Sequence, residues 1–260
     1  MNGELAQTIA IATHGSAWLR DPRSIDLHAF VAGNSTFQYV AHVNFDGAEA
    51  LPEWMAARAA DGVERLWLAH ADVAGGGGPL SQHLAAAFAG GGAGAILAPG
   101  SRTSTLWRAA WGVTDRDAPD RRIWSATYRY REVDVAPVRP GVDATAERLV
   151  EALKAARAFA AEMSLDHWAS WFAEALSQWE EPGRTPKFHA DLFPAGLFDD
   201  RAVRLASMAQ SSYVFGGMGS WNDLAFDGAA ERRIYADVSS ELYAAMLEGF
   251  VAAVNSDLGA

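Results

Sequence analysis

The chain has 260 residues, of which 50% are apolar, and a formal net charge of −11 from 32 acidic and 21 basic residues. This excess of carboxylates disfavours a general surface for nucleic acid or anionic membranes, because phosphate binding needs clustered cations. The absence of cysteine excludes disulfides, thiolate catalysis and cysteine-based metal sites. No signal-peptide pattern and no apolar run near the ~20 residues of a membrane span occur, so we expect a cytoplasmic protein.

The first fifty residues favour β-structure. The apolar run 8–13 predicts a strand. Runs 25–31 and 36–45 are rich in β-branched and aromatic residues, and Gly33-Asn34 between them suits a two-residue turn. We therefore expect a hairpin, followed by a helix over 51–60, which has Pro52 near its start and Gly62 beyond its end.

Residues 63–100 have the order of a compact βαβ unit. An apolar strand near 63–68 is followed by a glycine run, a helix over 80–89 that begins after Pro79, and a second apolar strand near 95–97. Two strands joined through a helix in this way lie parallel, with a right-handed crossover.

The glycine run of this unit is a candidate ligand loop, because it follows a strand and precedes a helix. Its residues are Gly75, Gly76, Gly77 and Gly78. Backbone N–H groups without neighbouring Cβ atoms can approach an anion, and the positive end of the helix favours phosphate or carboxylate. The alternative is a flexible connector, because glycine is common in loops.

Strand, glycine-rich loop and short helix are arranged similarly in ADP-ribose-binding macro domains. The resemblance is confined to residues 63–100. Where macro domains carry an asparagine-rich segment, this chain has Leu68-Ala69-His70-Ala71-Asp72. We recognise no family across the whole chain.

Alternating residues over 105–113 and 122–135 predict a second hairpin, with Arg129 and Arg131 on the face opposite the tyrosines. That face is either solvated or binds an anion. After Pro137 and Pro140 the apolar period changes to that of helices. Four are predicted, at about 143–163, 164–179, 199–210 and 230–254.

We therefore expect an α/β or α+β fold, with a mixed sheet and a βαβ unit in the N-terminal half and a helical C-terminal half. A mixed-sheet region at 1–136 and a mainly helical region at 142–260 should pack as one globular unit.

A second glycine segment is a further candidate for ligand binding. Its residues are Gly216, Gly217, Gly219, Trp221, Asn222 and Asp223. The glycines can present N–H groups to an anion, the tryptophan can stack on a planar ligand, and the polar side chains can orient it. As a structural turn, the same residues need no ligand, since the tryptophan fills the core and the polar groups bond the local backbone.

The tripeptide His-Ala-Asp occurs twice, at His70 and Asp72 and again at His189 and Asp191. In an extended segment each pair faces one way, so the four side chains are weak candidates for acid/base groups or, if they converge, metal ligands. No motif supports a metal, cofactor or serine-nucleophile site, and we predict none.

We therefore expect a soluble binding or interaction protein that recognises a small anionic, phosphate-containing ligand through the glycine loops, or a protein partner. The alternative is a hydrolase or transferase that acts on a phosphate-containing metabolite, with metal assistance if the histidine and aspartate pairs converge.

Overall fold

The computed structural model of the chain describes residues 1, 3–70, 82–86, 94–184, 188–216 and 219–258. The helices in these ranges are α1 (Gly3–Arg20), α2 (Leu27–Gly33), α3 (Leu51–Ala60), α4 (Gln82–Ala85), α5 (Val142–Glu162), α6 (Asp166–Glu180), α7 (Asp200–Ser211) and α8 (Ala229–Val254). The strands are β1 (Val40–Phe45), β2 (Trp67–His70), β3 (Gly94–Pro99), β4 (Ser104–Val113) and β5 (Trp124–Val133). The fold is α+β, with a mixed sheet in the N-terminal half and a helical C-terminal half, as the sequence predicts.

The sheet has the strand order β1-β5-β4-β3-β2. β1 is parallel to β5, whereas the other neighbours are antiparallel. The β4–β5 hairpin is confirmed, with Val113 opposite Trp124. We call the face that carries the buried Trp107 and Tyr128 the inner face, because helix α1 packs there and Gln7 accepts a 3.0 Å hydrogen bond from the Tyr128 hydroxyl.

The prediction of a parallel βαβ unit is wrong. β2 and β3 are antiparallel, with Trp67 opposite Leu97 and His70 opposite Gly94. The connection therefore returns the chain to the same end of the sheet, where an antiparallel partner needs no crossover. In the described residues between these strands, only the four-residue helix α4 is present.

The prediction of a strand at 8–13 is also wrong, because these residues lie within the 18-residue helix α1. Almost every residue from Leu5 to Ala17 is buried, so the helix lacks the polar face that would reveal a helical period. Its buried hydroxyls are satisfied internally: Thr8, Thr13 and Ser16 each donate to the carbonyl four residues earlier.

The first predicted hairpin does not form. Residues 27–33 are the helix α2, whose N-terminus is capped by Asp26, a carboxylate that accepts from the N–H groups of His28 and Ala29. Asn34 ends this helix and caps the following 3-10 turn by accepting from Thr36 N–H. The local side-chain caps thus outweigh the β propensity of the run.

The four predicted C-terminal helices are confirmed as α5 to α8. Their buried faces and the inner face of the sheet contribute to one hydrophobic cluster. The division at 136 and 142 stays a prediction. Within the described ranges, no helix combines the length and apolar character that a bilayer crossing requires.

Candidate functional site

The first glycine run lies outside the described residues, as does Asp72. His70 ends β2 opposite Gly94, and its side chain is also outside the description. Ligand binding by Gly75 to Gly78 stays a prediction.

The described part of the second glycine segment forms hydrogen bonds within the protein. Gly219 N–H donates to the Asp223 carboxylate, and Ser220 Oγ donates to Gly216 carbonyl at 3.1 Å. Trp221 N–H donates to Val214 carbonyl at 3.1 Å. Gly217 is outside the described residues. This hydrogen-bonding pattern is that of a structural turn. Ligand binding by the second glycine segment stays a prediction.

Trp221 is 0% exposed. Its ring lies edge-on to Phe172, with centroids 5.0 Å apart, and its indole N–H donates to Ser239 Oγ at 2.8 Å. A fully buried ring leaves no free face for a planar ligand in this conformation, so the side chain fills the core.

Asn222 connects the second glycine segment to helix α4. Its side-chain N–H donates to His83 carbonyl at 2.9 Å, whereas its Oδ1 is buried with no partner among the described residues. Because α4 begins shortly after Gly78 in the sequence, this contact ties the second glycine segment to the segment that follows the first.

The side chains of His189 and Asp191 both contact Ser35. The Ser35 hydroxyl donates to Asp191 Oδ1 at 2.5 Å, and its oxygen is 3.3 Å from His189 Nδ1. Ser35 N–H donates to the other carboxylate oxygen at 2.6 Å. Burial lowers the pKa of His189, while Asp191 opposes that shift. His189 also has a positive φ of 47°, a conformation that is uncommon for a residue with a Cβ.

The same contacts anchor the loop that follows α6. Asn34 donates to the carbonyl of Asp191 at 2.7 Å, and Thr13 donates to the carbonyl of Leu192 at 2.5 Å. Within the described ranges, no group of three or more His, Asp or Glu side chains has the arrangement of a metal site. Whether His70 and Asp72 approach this cluster stays a prediction.

A cleft of about 660 Å³ lies between α3, the β3–β4 turn and the inner face of the sheet; we call it the α3 cleft. Its volume falls within the ~300–1,000 Å³ that is usual for small-molecule sites. This cleft was not predicted from the sequence.

Aromatic rings form one wall of the α3 cleft. The ring centroids of Trp107 and Tyr130 are 4.9 Å apart, and Trp54 meets Trp107 edge-on at 5.2 Å. Tyr130 is 50% exposed, whereas Trp54 is 1% exposed. The tyrosine therefore offers a planar surface at the mouth, and Trp107 packs against it.

Arg58 provides the buried positive charge of the α3 cleft. Its side chain is 14% exposed, its Cζ lies 5.0 Å from the Trp107 ring centroid, and its Nη2 is 2.8 Å from Asp61. Arg58 Nε is buried and has no hydrogen-bond partner in the described part of the chain, and the same holds for Trp54 Nε1. Both unpaired atoms are donors, so each needs an acceptor beyond the Asp61 carboxylate that pairs with Arg58 Nη2.

The mouth of the α3 cleft carries exposed charges of both signs, from Arg102, Asp46 and Glu132. The β3–β4 turn that carries Arg102 is fixed to the end of α3, because Ser101 N–H donates to Asp61 carbonyl at 2.9 Å. At Gly100, a Cβ would lie 3.0 Å from Thr103 carbonyl oxygen, so a side chain here would crowd the turn.

Comparison with protein-family models, with curated proteins and with solved structures found no match to this chain.

Proposed function

We propose that this chain is a binding protein for a small anionic ligand and that the α3 cleft is its site. The observation that carries the proposal is the buried Arg58 guanidinium over Trp107, whose Nε lacks an acceptor in the described residues. A carboxylate or phosphate of the ligand would supply that acceptor, after a small side-chain rotation that brings Nε to the cleft surface.

The charges at the mouth limit the rest of the ligand. Asp46 and Glu132 are exposed carboxylates, which accept hydrogen bonds and repel a second anionic group. A ligand with one anionic end and hydroxyl groups at the other matches this site, because the anionic end can accept from Arg58 inside the cleft and the hydroxyl groups can donate to the carboxylates at its mouth. A sugar phosphate or a nucleoside monophosphate is therefore the first class to test, with the base or sugar against Tyr130.

The experiment is a thermal-shift screen followed by isothermal titration. The probes are inorganic phosphate, ribose 5-phosphate, adenosine monophosphate and succinate. A ligand that prefers the folded state raises its apparent stability, and Trp54 and Trp107 in the wall should change their emission on binding. Arg58→Gln should weaken binding at least tenfold, because a charge-assisted hydrogen bond contributes about 1.5–3 kcal/mol.

Arg157→Gln is the matched control, because it removes the same charge from an exposed position on α5. It should leave the affinity unchanged. Failure of every probe to bind, or equal affinity in the wild type and Arg58→Gln, would refute the proposed site. Circular dichroism checks that Arg58→Gln still folds after losing Asp61 and Trp107 contacts.

A hydrolase or transferase centred on Ser35, His189 and Asp191 is the second candidate. The supporting observation is the hydroxyl that contacts both a carboxylate, at 2.5 Å, and an imidazole, at 3.3 Å. Either group takes the hydroxyl proton as Ser35 attacks an electrophilic phosphorus or carbonyl carbon. It returns that proton to the leaving group as the bond between the attacked centre and the leaving group breaks.

A fluorophosphonate probe tests this candidate, because it labels activated serine hydroxyls covalently. Labelling of the wild type that is lost in Ser35→Ala and kept in Ser24→Ala would support it. Absence of labelling in the wild type would leave Ser35 and Asp191 with the structural role of holding the loop after α6.

A further inference from the structure

Another cleft, of about 490 Å³, lies between α6 and the end of α7; we call it the α6 cleft. One face of α6 lines it, because His167, Trp171, Glu174 and Gln178 follow one another at steps of four, three and four residues. Its volume falls within the ~300–1,000 Å³ that is usual for small-molecule sites. The described residues that line it are all different from those that line the α3 cleft, so the two are separate.

Gln178 brings an unsatisfied acceptor to the α6 cleft. The residue is 2% exposed, and its Oε1 is buried with no hydrogen-bond partner in the described part of the chain. A buried acceptor without a donor destabilises the folded state, so native proteins keep few of them. A ligand that donates to this oxygen would remove the penalty.

Gln210, on α7, brings a second acceptor to the same cleft. The residue is 5% exposed, and its side-chain N–H donates to His189 carbonyl at 3.3 Å. This bond orients the amide, yet its Oε1 is buried and has no partner among the described residues. Two helices thus each contribute an amide oxygen without a donor to the lining of one cleft.

The remaining walls offer aromatic surface and a carboxylate that already has a partner. Trp171 is half-buried, and its indole N–H donates to Ser211 carbonyl at 2.8 Å, which joins α6 to the end of α7. Phe188 lines the cleft and is 60% exposed. The carboxylate of Glu174 lies 3.0 Å from the Arg184 guanidinium. This carboxylate therefore does not require a cationic ligand.

We propose that the α6 cleft binds an aminopurine base, as free adenine or as its nucleoside. A glutamine amide pairs with adenine through two hydrogen bonds: its oxygen accepts from the exocyclic amino group, and its N–H donates to ring N7. The last torsion of glutamine is broad, so a rotation there brings the amide of Gln178 to the cleft surface. The planar purine then packs against Trp171 and Phe188.

This proposal is independent of the anion site in the α3 cleft. The α6 cleft recognises a neutral base, whereas the α3 cleft requires an anionic group for Arg58. Adenosine monophosphate carries both groups, so free adenine and ribose 5-phosphate are the probes that separate the two clefts. Loss of one binding activity with retention of the other would refute one proposal and leave the other standing.

The experiment is isothermal titration of adenine, with tryptophan emission as a second readout because Trp171 lies in the wall. The wild type should bind adenine. Gln178→Leu keeps the approximate size of the side chain and should weaken binding at least about fivefold, because both hydrogen bonds to the base are lost. Its affinity for ribose 5-phosphate should be unchanged.

Two variants serve as controls for this titration. Gln38→Leu makes the same replacement at an exposed position and should change the affinity for adenine less than about twofold, because exposed sites away from the cleft contribute little. Arg58→Gln, in the α3 cleft, should also bind adenine as the wild type does.

A change in the ligand tests the same contact from the other side. Unsubstituted purine lacks the exocyclic amino group and cannot donate to Gln178 Oε1. The wild type should therefore prefer adenine to purine by at least about fivefold. This preference should disappear in Gln178→Leu, because the two changes remove the same hydrogen bond.

The stability of the empty protein distinguishes a ligand-binding role of Gln178 from a structural one. Gln178→Leu should raise the thermal midpoint by at least about 2 °C, because an apolar side chain replaces a buried acceptor without a partner. A lower midpoint would show that the amide stabilises the fold, and would contradict the proposal.

Four outcomes of the titrations overturn the proposal. Adenine does not bind the wild type, or it binds Gln178→Leu as tightly as the wild type. Adenine binding is lost in Arg58→Gln, which would place the base in the α3 cleft. Alternatively, 3-methylindole, which has one N–H donor and no ring acceptor, binds more tightly than adenine and is lost in Gln178→Leu, which would assign the cleft to an apolar aromatic ligand.

Discussion

Asn255 pairs with both main-chain polar groups of Leu68, as a neighbouring strand would. Its Oδ1 accepts from Leu68 N–H at 2.9 Å, and its side-chain N–H donates to Leu68 carbonyl at 2.9 Å and to Val138 carbonyl at 2.8 Å. β2 is an edge strand, and Asn255 follows directly after α8. This one side chain therefore joins the end of the last helix to the sheet and to the segment before α5.

Asn255→Ala should lower the free energy of unfolding by about 3 kcal/mol, because it leaves buried main-chain groups of Leu68 without partners. Urea denaturation measures the change. Ser256→Ala is the control, since Ser256 Oγ donates within the helix end, to Ala253 carbonyl, and it should cost less than about 1 kcal/mol. Equal losses in the two variants would show that Asn255 does not hold the edge strand.

Gly15 allows α1 to approach the sheet and α3 closely. A Cβ at this position would lie 2.6 Å from Leu66 Cδ1 and 3.2 Å from Met55 Sδ. We expect Gly15→Ala to destabilise the chain by roughly 1–3 kcal/mol, the usual cost of overpacking a core. The measurement is the unfolding free energy from denaturant titration.

Gly3→Ala is the matched control in the same helix, because no atom of the described residues lies within 4 Å of a Cβ at Gly3. It should be neutral or should stabilise the chain by up to about 1 kcal/mol, since alanine is the better helix former. If Gly15→Ala behaved in the same way, the close approach of α1 would be wrong.

The parts of the fold that the sequence predicts correctly have a clear period. The C-terminal helices alternate apolar and polar faces every three to four residues, and β4 and β5 alternate every second residue around a polar loop. Helix α1 was missed because burial on nearly all sides removes its polar face. The direction of β3 was missed because a short apolar run reads the same in parallel and antiparallel sheets.

The α3 cleft was missed for a different reason. Trp54 and Arg58 are four residues apart on a helix that the sequence predicts, so their shared face could have been inferred. Trp107 and Tyr130 face each other in the predicted hairpin. What no local pattern gives is the packing of that helix against that hairpin, which depends on the whole core.

Ser239 Oγ accepts a hydrogen bond from the indole N–H of the buried Trp221. Ser239→Ala should cost about 1–3 kcal/mol of unfolding free energy, because the N–H is left without a partner in the core. Ser240→Ala, at the exposed neighbouring position, removes only a long 3.4 Å contact with His83 Nδ1 and should cost less than about 1 kcal/mol. Ser239→Ala should also leave ligand affinity at the α3 cleft unchanged. A selective loss of ligand binding with normal stability would instead support the second glycine segment as a ligand site.

His14 should make stability depend on pH. The imidazole stacks on Phe30 with centroids 4.4 Å apart, and burial lowers its pKa to about 4, against smaller opposing effects of Ala10 carbonyl and Asp191. The ordinary value is 6.5 in the unfolded chain. Between these two values the unfolded state binds more protons, so stability falls as the pH falls from about 6.5 to about 4 and is independent of this group above 6.5.

The test compares urea denaturation at about pH 7 and pH 4.5 in the wild type and His14→Gln. Removing the imidazole should make the loss of unfolding free energy on acidification smaller by about 2–3 kcal/mol, because each unit of pKa shift corresponds to about 1.4 kcal/mol. Burial also lowers the pKa values of His83 and His189, so part of the acid sensitivity should remain in the variant. His42→Gln, at an exposed position on β1, should lose as much stability between the two pH values as the wild type does. If His14→Gln lost as much stability as His42→Gln between the two pH values, the imidazole of His14 would not be buried in its neutral form.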